Sequence, residues 1–149
     1  MFLNTSYEVI VTGIESALVA QLLKFSGHFI KTRKVDFQVL ATTGGMPSSH
    51  TAGVISLSTT VGFICGFDSI EFSIALGYSL VVMYDAAGLR RSTGKIAACL
   101  NKMSDDFYAN GQLPTERLKE LLGHTPFEVF AGAILGVLMA YVNHFYLFQ

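Results

Sequence analysis

Val129-Phe130-Ala131-Gly132-Ala133-Ile134-Leu135-Gly136-Val137-Leu138-Met139-Ala140-Tyr141-Val142-Asn143-His144-Phe145-Tyr146-Leu147-Phe148-Gln149 contains no Asp, Glu, Lys or Arg. A bilayer crossing takes about 17 to 25 mostly apolar helical residues, so this stretch reads as a membrane span. Its start is written just upstream in Thr125-Pro126-Phe127-Glu128. Thr125 suits the N-cap, Pro126 the first helical position, and Glu128 the return bond of a capping box.

Three further stretches share the shortage of charge. Val9 to Leu23 holds only Glu15, Thr51 to Phe67 holds none, and Phe72 to Gly88 holds only Asp85. Over the 149 residues, charged side chains are 14% and hydrophobic ones 51%, with a mean hydropathy of +0.48. An ordinary soluble domain carries about 25% charge. The reading is an all-α integral membrane helical bundle of about four transmembrane helices with short interfacial helices, forming one membrane domain over residues 1–149. A net charge of -1 offers no counterion-release drive toward nucleic acid, which is excluded as a partner. Cys65 and Cys99 have no nearby second thiol, so they suggest neither a disulfide nor a metal site and are expected to be small buried residues.

The basic residues fix an orientation. With four spans, Lys24, Lys31, Arg33 and Lys34 fall between the first and second, while Arg90, Arg91, Lys95, Lys102, Arg117 and Lys119 fall between the third and fourth. All ten therefore lie on one side, which the positive-inside rule makes cytoplasmic. Both chain ends then face away from the cytoplasm, in a protein expected in the cell (inner) membrane. The start, MFLNTSYEV, lacks the basic region of a secretory signal, so the first span reads as retained. Asp68-Ser69-Ile70-Glu71 resembles the start of the third span. Asn101 to Pro114 reads as a cytoplasmic loop with partial helix, and Thr115 to Leu122 as a short helix with Leu118, Leu121 and Leu122 on the membrane surface. Gly132, Gly136 and Ala140 recur at four-residue spacing and suit close helix contact, from which a homo-oligomer is expected.

Chemistry concentrates at two helix starts. In Thr42-Thr43-Gly44-Gly45-Met46-Pro47-Ser48-Ser49-His50, glycines and a proline make a turn and the serines cap the second span. The free N–H groups and positive dipole end of such a helix form an anion site, and His50 can bond an anion or pass it a proton. His124 precedes the N-cap of the fourth span on the same side. Two such histidines can serve one phosphate, one as nucleophile and the other as general acid. The bland alternatives are a capped interfacial turn and solvated surface histidines. His28 and His144 lack comparable surroundings and read as structural. Asp85, near the cytoplasmic end of the third span, is an intramembrane carboxylate whose expected partners are Arg90, Arg91 or Lys95. A structural ion pair that ends the span is the competing reading.

The run Gly44 to His50 with Thr51-Ala52, the segment Val82 to Arg91, Leu100-Asn101-Lys102, and Leu122-Gly123-His124-Thr125-Pro126-Phe127-Glu128-Val129 together resemble the divergent branch of the type 2 phosphatidic acid phosphatase family. That family is related to acid phosphatases and vanadium-dependent haloperoxidases. The resemblance covers nearly the whole chain. The superfamily's first signature, Lys, six residues, Arg-Pro, is met in part by Lys24 with Lys31-Thr32. Its second, Pro-Ser-Gly-His, is met by Pro47-Ser48-Ser49-His50 except for the glycine. Its third ends in a nucleophilic His and, four residues on, an orienting carboxylate. His124 and Glu128 keep that spacing, but Leu118 stands where the signature has Arg.

The resemblance implies a membrane-embedded phosphatase acting on a lipid or isoprenoid phosphate or pyrophosphate, with no metal and no cofactor. His124 would attack phosphorus to form a phosphohistidine and His50 would protonate the leaving alcohol. Lys24, Lys31, Arg90, Arg91 and the N–H groups near Ser48 and Ser49 would hold the phosphate, with Asp85 in support. On the residues alone, Glu128 can both cap and orient His124 only if the helix start loosens. The absent arginine keeps a rival reading open: a non-catalytic membrane protein that retains the phosphate pocket for lipid binding, transport or complex assembly.

Overall fold

A computed structural model describes residues 6–35, 45–108 and 124–148. These fold as α1 (Ser6–Thr32), α2 (Ser49–Cys65), α3 (Ile70–Tyr84), α4 (Arg90–Tyr108) and α5 (Pro126–Val142). One wide π-helical turn, Asp85–Leu89, joins α3 to α4, and another, Asn143–Leu147, extends α5.

The side chains are arranged inside out relative to a soluble protein. On α1 the buried positions Glu8, Thr12, Ser16, Ala20 and Lys24 recur every fourth residue, while Ile10, Ile14, Leu18 and Leu22 form an exposed stripe. α5 repeats the scheme, burying Gly132, Gly136 and Ala140 and exposing Phe130, Ile134, Val137 and Leu138. Large apolar residues facing outward and small or polar ones facing inward are what a lipid solvent selects, because apolar burial gives helices no preference for each other there. The protein is an integral membrane helical bundle. Tyr7, Tyr84 and Tyr146 stand exposed near span ends, where amphipathic rings favour the headgroup level.

Among the described residues, three helices, Ser6–Thr32, Ile70–Gly88 and Pro126–Leu147, are long and apolar enough to cross a membrane. The expected fourth, α2, has 17 residues and a length of about 25 Å, so it does not meet that measure. It is packed instead against α1, α3 and α5. Enclosure explains its Ser and Thr content: Ser56 Oγ donates to Gly53 O at 2.9 Å and faces Thr12 O of α1 at 3.3 Å. Thr60 Oγ1 donates to Ser56 O at 2.8 Å, and Ser79 Oγ of α3 reaches Val54 O at 2.9 Å. Each hydroxyl stays satisfied without water.

Small residues set the helix separations. Gly13 of α1 lies against Gly53 O of α2, and a Cβ on Gly132 or Gly136 would come within 2.5 Å of Ser48 O or 2.6 Å of Ala52 O. The small-residue stripe of α5 is thus used inside the chain against α2. It gives no face to a second copy, and the argument from that stripe to a homo-oligomer falls away.

Other local expectations shift. Within Asp68-Ser69-Ile70-Glu71, read as the start of the third span, the N-cap of α3 is Ser69, whose side chain accepts from Phe72 N at 3.1 Å. Of the segment read as a loop with partial helix, Asn101 to Tyr108 is helical, because α4 continues through it, and the rest to Pro114 lies outside the described residues. Cys65 and Cys99 are exposed rather than buried, each on a helix face left open among the described residues. The helix expected at Thr115 to Leu122 lies outside the described residues.

Candidate functional site

The site is built where α2 and α5 begin, side by side and parallel. Ser48 is the N-cap of α2: its Oγ accepts from Thr51 N at 3.4 Å and from Thr51 Oγ1 at 3.0 Å. Its own N–H donates to Glu128 O at 3.1 Å, stitching the two helix starts together. Thr125 caps α5 with the full capping box that its sequence foretells. His124, one residue before that cap, donates its backbone N–H to Ala86 O at 3.2 Å. The π-helical turn after α3 therefore positions it.

His124 is buried, at 2% exposure. Its Nδ1 lies 3.2 Å from Glu128 Oε2, and the same oxygen accepts from Thr125 N at 2.9 Å. One carboxylate oxygen thus serves the cap and the imidazole together, so the helix start need not loosen. A carboxylate is acceptor-only, which assigns the proton to Nδ1. Among the described residues, Nε2 is buried with no hydrogen-bond partner, so it keeps its lone pair. Burial pushes the His124 pKa below the usual histidine value. The Glu128 hydrogen bond and charge oppose that shift, while the charges of Lys24 and His50 add to it. Neutral imidazole is the nucleophilic form. A 15N-histidine titration is expected to place half-protonation of His124 below the ordinary histidine value of about 6.5, and half-protonation at or above that value would contradict the assigned environment.

Lys24 reaches the same region from the last third of α1. It is 6% exposed, and its aliphatic stem lies against Gly45, where a Cβ would stand 3.3 Å from Lys24 Cδ. Gly45 has φ +94, a region glycine enters without cost. The turn before α2 thus closes over the lysine. His50, exposed in the first turn of α2, stands close enough for its charge to act on His124.

The remaining candidates are placed less tightly. Ser49 opens α2 at its first position, where the amide lies outside the helix's own bonding pattern. The Ser48 amide is directed to Glu128 O instead. Lys31 is exposed in the last turn of α1, about 10 Å along the axis from Lys24. Asp85 opens the π-helical turn, one residue before the carbonyl that holds the His124 N–H. Arg90 and Arg91 begin α4. Their side chains, together with Thr42 to Gly44, Arg117 and Leu118, lie outside the description. Among the described residues, no group of three or more His, Cys, Asp and Glu could hold a metal ion.

One group of residues escaped the sequence reading. His144, taken as structural, has its Nδ1 2.6 Å from Glu8 Oε1 at the other end of the bundle. Glu8, Thr12 and Glu15 share one face of α1, and that polar stripe on an apolar helix was the available signal.

Comparison with known proteins gives the lineage. The model of the divergent PAP2 family matches residues 5–139. A relative from Bacillus subtilis (strain 168), described as the uncharacterized membrane protein YuiD, is 38% identical over 144 residues, covering 89% of this chain and 91% of that protein. No solved structure matches. The buried imidazole with its carboxylate, the capped helix pair and the family match over most of the length agree: the chain belongs to the divergent PAP2 family.

Proposed function

We propose that the protein is a membrane-embedded phosphatase that cleaves a phosphate or pyrophosphate from a lipid or isoprenoid alcohol. The observation that carries this reading is His124: Nδ1 held by Glu128 and Nε2 buried with a free lone pair. Nε2 attacks phosphorus as the P–O bond to the alcohol breaks, and protonated His50 gives its proton to the departing oxygen. Water then attacks the phosphohistidine, the N–P bond breaks with its electron pair returning to Nε2, and the water's proton passes to His50. Glu128 stabilises the imidazole as charge develops, and Lys24 with the Ser49 amide faces the phosphoryl oxygens. Lys31, Arg90 and Arg91 add positive charge at the rim, and Asp85 supports the turn that positions His124.

Both ends of the described chain lie at the bundle end away from His124, as the Glu8–His144 contact requires. With every Lys and Arg clustered toward the His124 end of the sequence map, this supports a site on the cytoplasmic face of the cell membrane. Leu118 in place of arginine favours the second reading, a pocket that binds phosphate without turning it over. Incubating purified protein with a 32P-labelled lipid phosphate and quenching in alkali decides between them. Base-stable, acid-labile label on the chain is expected, whereas saturable vanadate binding without label or phosphate release would establish the non-catalytic reading.

A further inference from the structure

We infer that α4 lies along the membrane surface at the His124 end of the bundle and binds anionic phospholipid there, its apolar face among the acyl chains and its lysines at the lipid phosphates. α4 follows the span α3 through a single π-helical turn, so it starts where α3 leaves the hydrocarbon. Its 19 residues include Arg90, Arg91, Lys95, Lys102, Asp105 and Asp106, and that much charge excludes a crossing. Nor does the helix run back along the bundle. Among the described residues it packs substantially only against the turn that leads into it.

The side chains divide α4 into distinct faces. Gly94, Ala97 and Asn101, at spacings of three and four residues, are buried. Ile96, Leu100 and Met103 share a different face at spacings of four and three, and they are 60%, 47% and 61% exposed. Exposed Cys99 belongs to the same face. Lys95 and Lys102, two turns apart, are exposed along one edge of it, and no ion pair among the described residues involves either. An apolar stripe with a lysine edge is the pattern of a helix lying in the interface plane: the stripe enters the acyl boundary while the lysine stems reach out to the headgroups.

Charge and continuity select the occupant. An anionic leaflet attracts each basic residue near its surface, whereas zwitterionic headgroups carry no net charge to match the lysines. A second copy laid on this face by a twofold axis brings the same two lysines and no described acid, so it offers them only repulsion. Lipid is already at hand, because Ile74, Tyr78 and Val81 of α3 are exposed on the span that leads to α4. The surface is separate from the phosphate chemistry, yet the two adjoin: α4 leaves the turn whose Ala86 O holds the His124 N–H. A lipid-anchored α4 keeps that turn at the membrane surface.

Two spin-label measurements on the full chain in lipid vesicles test the inference. In vesicles of phosphatidylcholine and phosphatidylglycerol, a nitroxide on Cys99 of the Cys65→Ser chain is expected to relax with dissolved oxygen and to be shielded from a water-soluble nickel chelate. In phosphatidylcholine vesicles, a trace of spin-labelled phosphatidylglycerol is expected to associate with the protein in preference to spin-labelled phosphatidylcholine. That preference should fall by about 5-fold or more in Lys95→Gln/Lys102→Gln, the factor that one lysine beside an anionic surface contributes. It should persist in Lys95→Arg/Lys102→Arg, which keeps the charge. Both lysines are exposed, so neither exchange disturbs packing. A Cys99 label open to the nickel chelate would place the face in water. A short distance between Cys99 labels of two copies would place a second copy on it, and a lipid preference unchanged by Lys→Gln would remove the anionic headgroup. Any of the three overturns the assignment.

Discussion

His124→Ala is expected to lower phosphate release from a lipid phosphate by about 10⁴-fold or more, the scale on which a covalent nucleophile is lost. It should also abolish the trapped phosphohistidine. The side chain makes no cap bond of its own, so the α5 start survives through Thr125 and Glu128. The control is Glu128→Gln. Its amide oxygen can still accept from Thr125 N, so the cap persists and unfolding should shift by no more than about 1 kcal/mol. The negative charge that stabilises the charged imidazole is gone, and the rate should drop by about 10² to 10⁴. A stable Glu128→Gln protein with undiminished turnover would reduce Glu128 to a capping residue. Undiminished turnover in His124→Ala would remove the nucleophile and, with it, the proposed reaction.

Gly132→Ala is expected to produce the largest loss of stability per atom added. The new methyl would sit 2.5 Å from Ser48 O and 3.1 Å from Thr51 Cβ, both in the rigid start of α2. Backbone cannot rotate aside as a side-chain end can, so α5 must move away, at about 1 to 3 kcal/mol. That movement would also lengthen the Ser48 N to Glu128 O bond and separate His124 from His50, so activity should fall with stability. Gly77→Ala on α3 has nothing within 4 Å of its added methyl. It should be neutral or gain up to about 1 kcal/mol in helix propensity. Thermal unfolding of the pair in nanodiscs measures the contrast. Equal midpoints would mean that the α2–α5 contact does not limit stability.

The spans of α1, α3 and α5 are legible because lipid imposes a rule on composition: a long run with almost no charge can be stable only as a buried or lipid-facing helix. The caps at Ser48 and Thr125 are equally legible, since capping is a contact between residues three apart. α2 is harder. Its Ser and Thr residues are acceptable only because three helices surround it, and nothing local announces that enclosure. The contact made by the histidine at 144 is hidden for a similar reason. Its partner Glu8 is 136 positions away, beyond the reach of any local pattern.

The sequence by itself determined a membrane-embedded helical protein, the ends of its main helices, and the His124 to Glu128 spacing, because hydropathy, capping and one helical turn are short-range physics. Only the tertiary structure decided that α2 and α5 run side by side, that Gly132 and Gly136 meet α2 rather than another copy, and that Lys24 bends under Gly45. It also decided that one oxygen of Glu128 can cap and orient together. These depend on distances between separate helices, which are set by the packing of many small side chains at once and are encoded in no single segment.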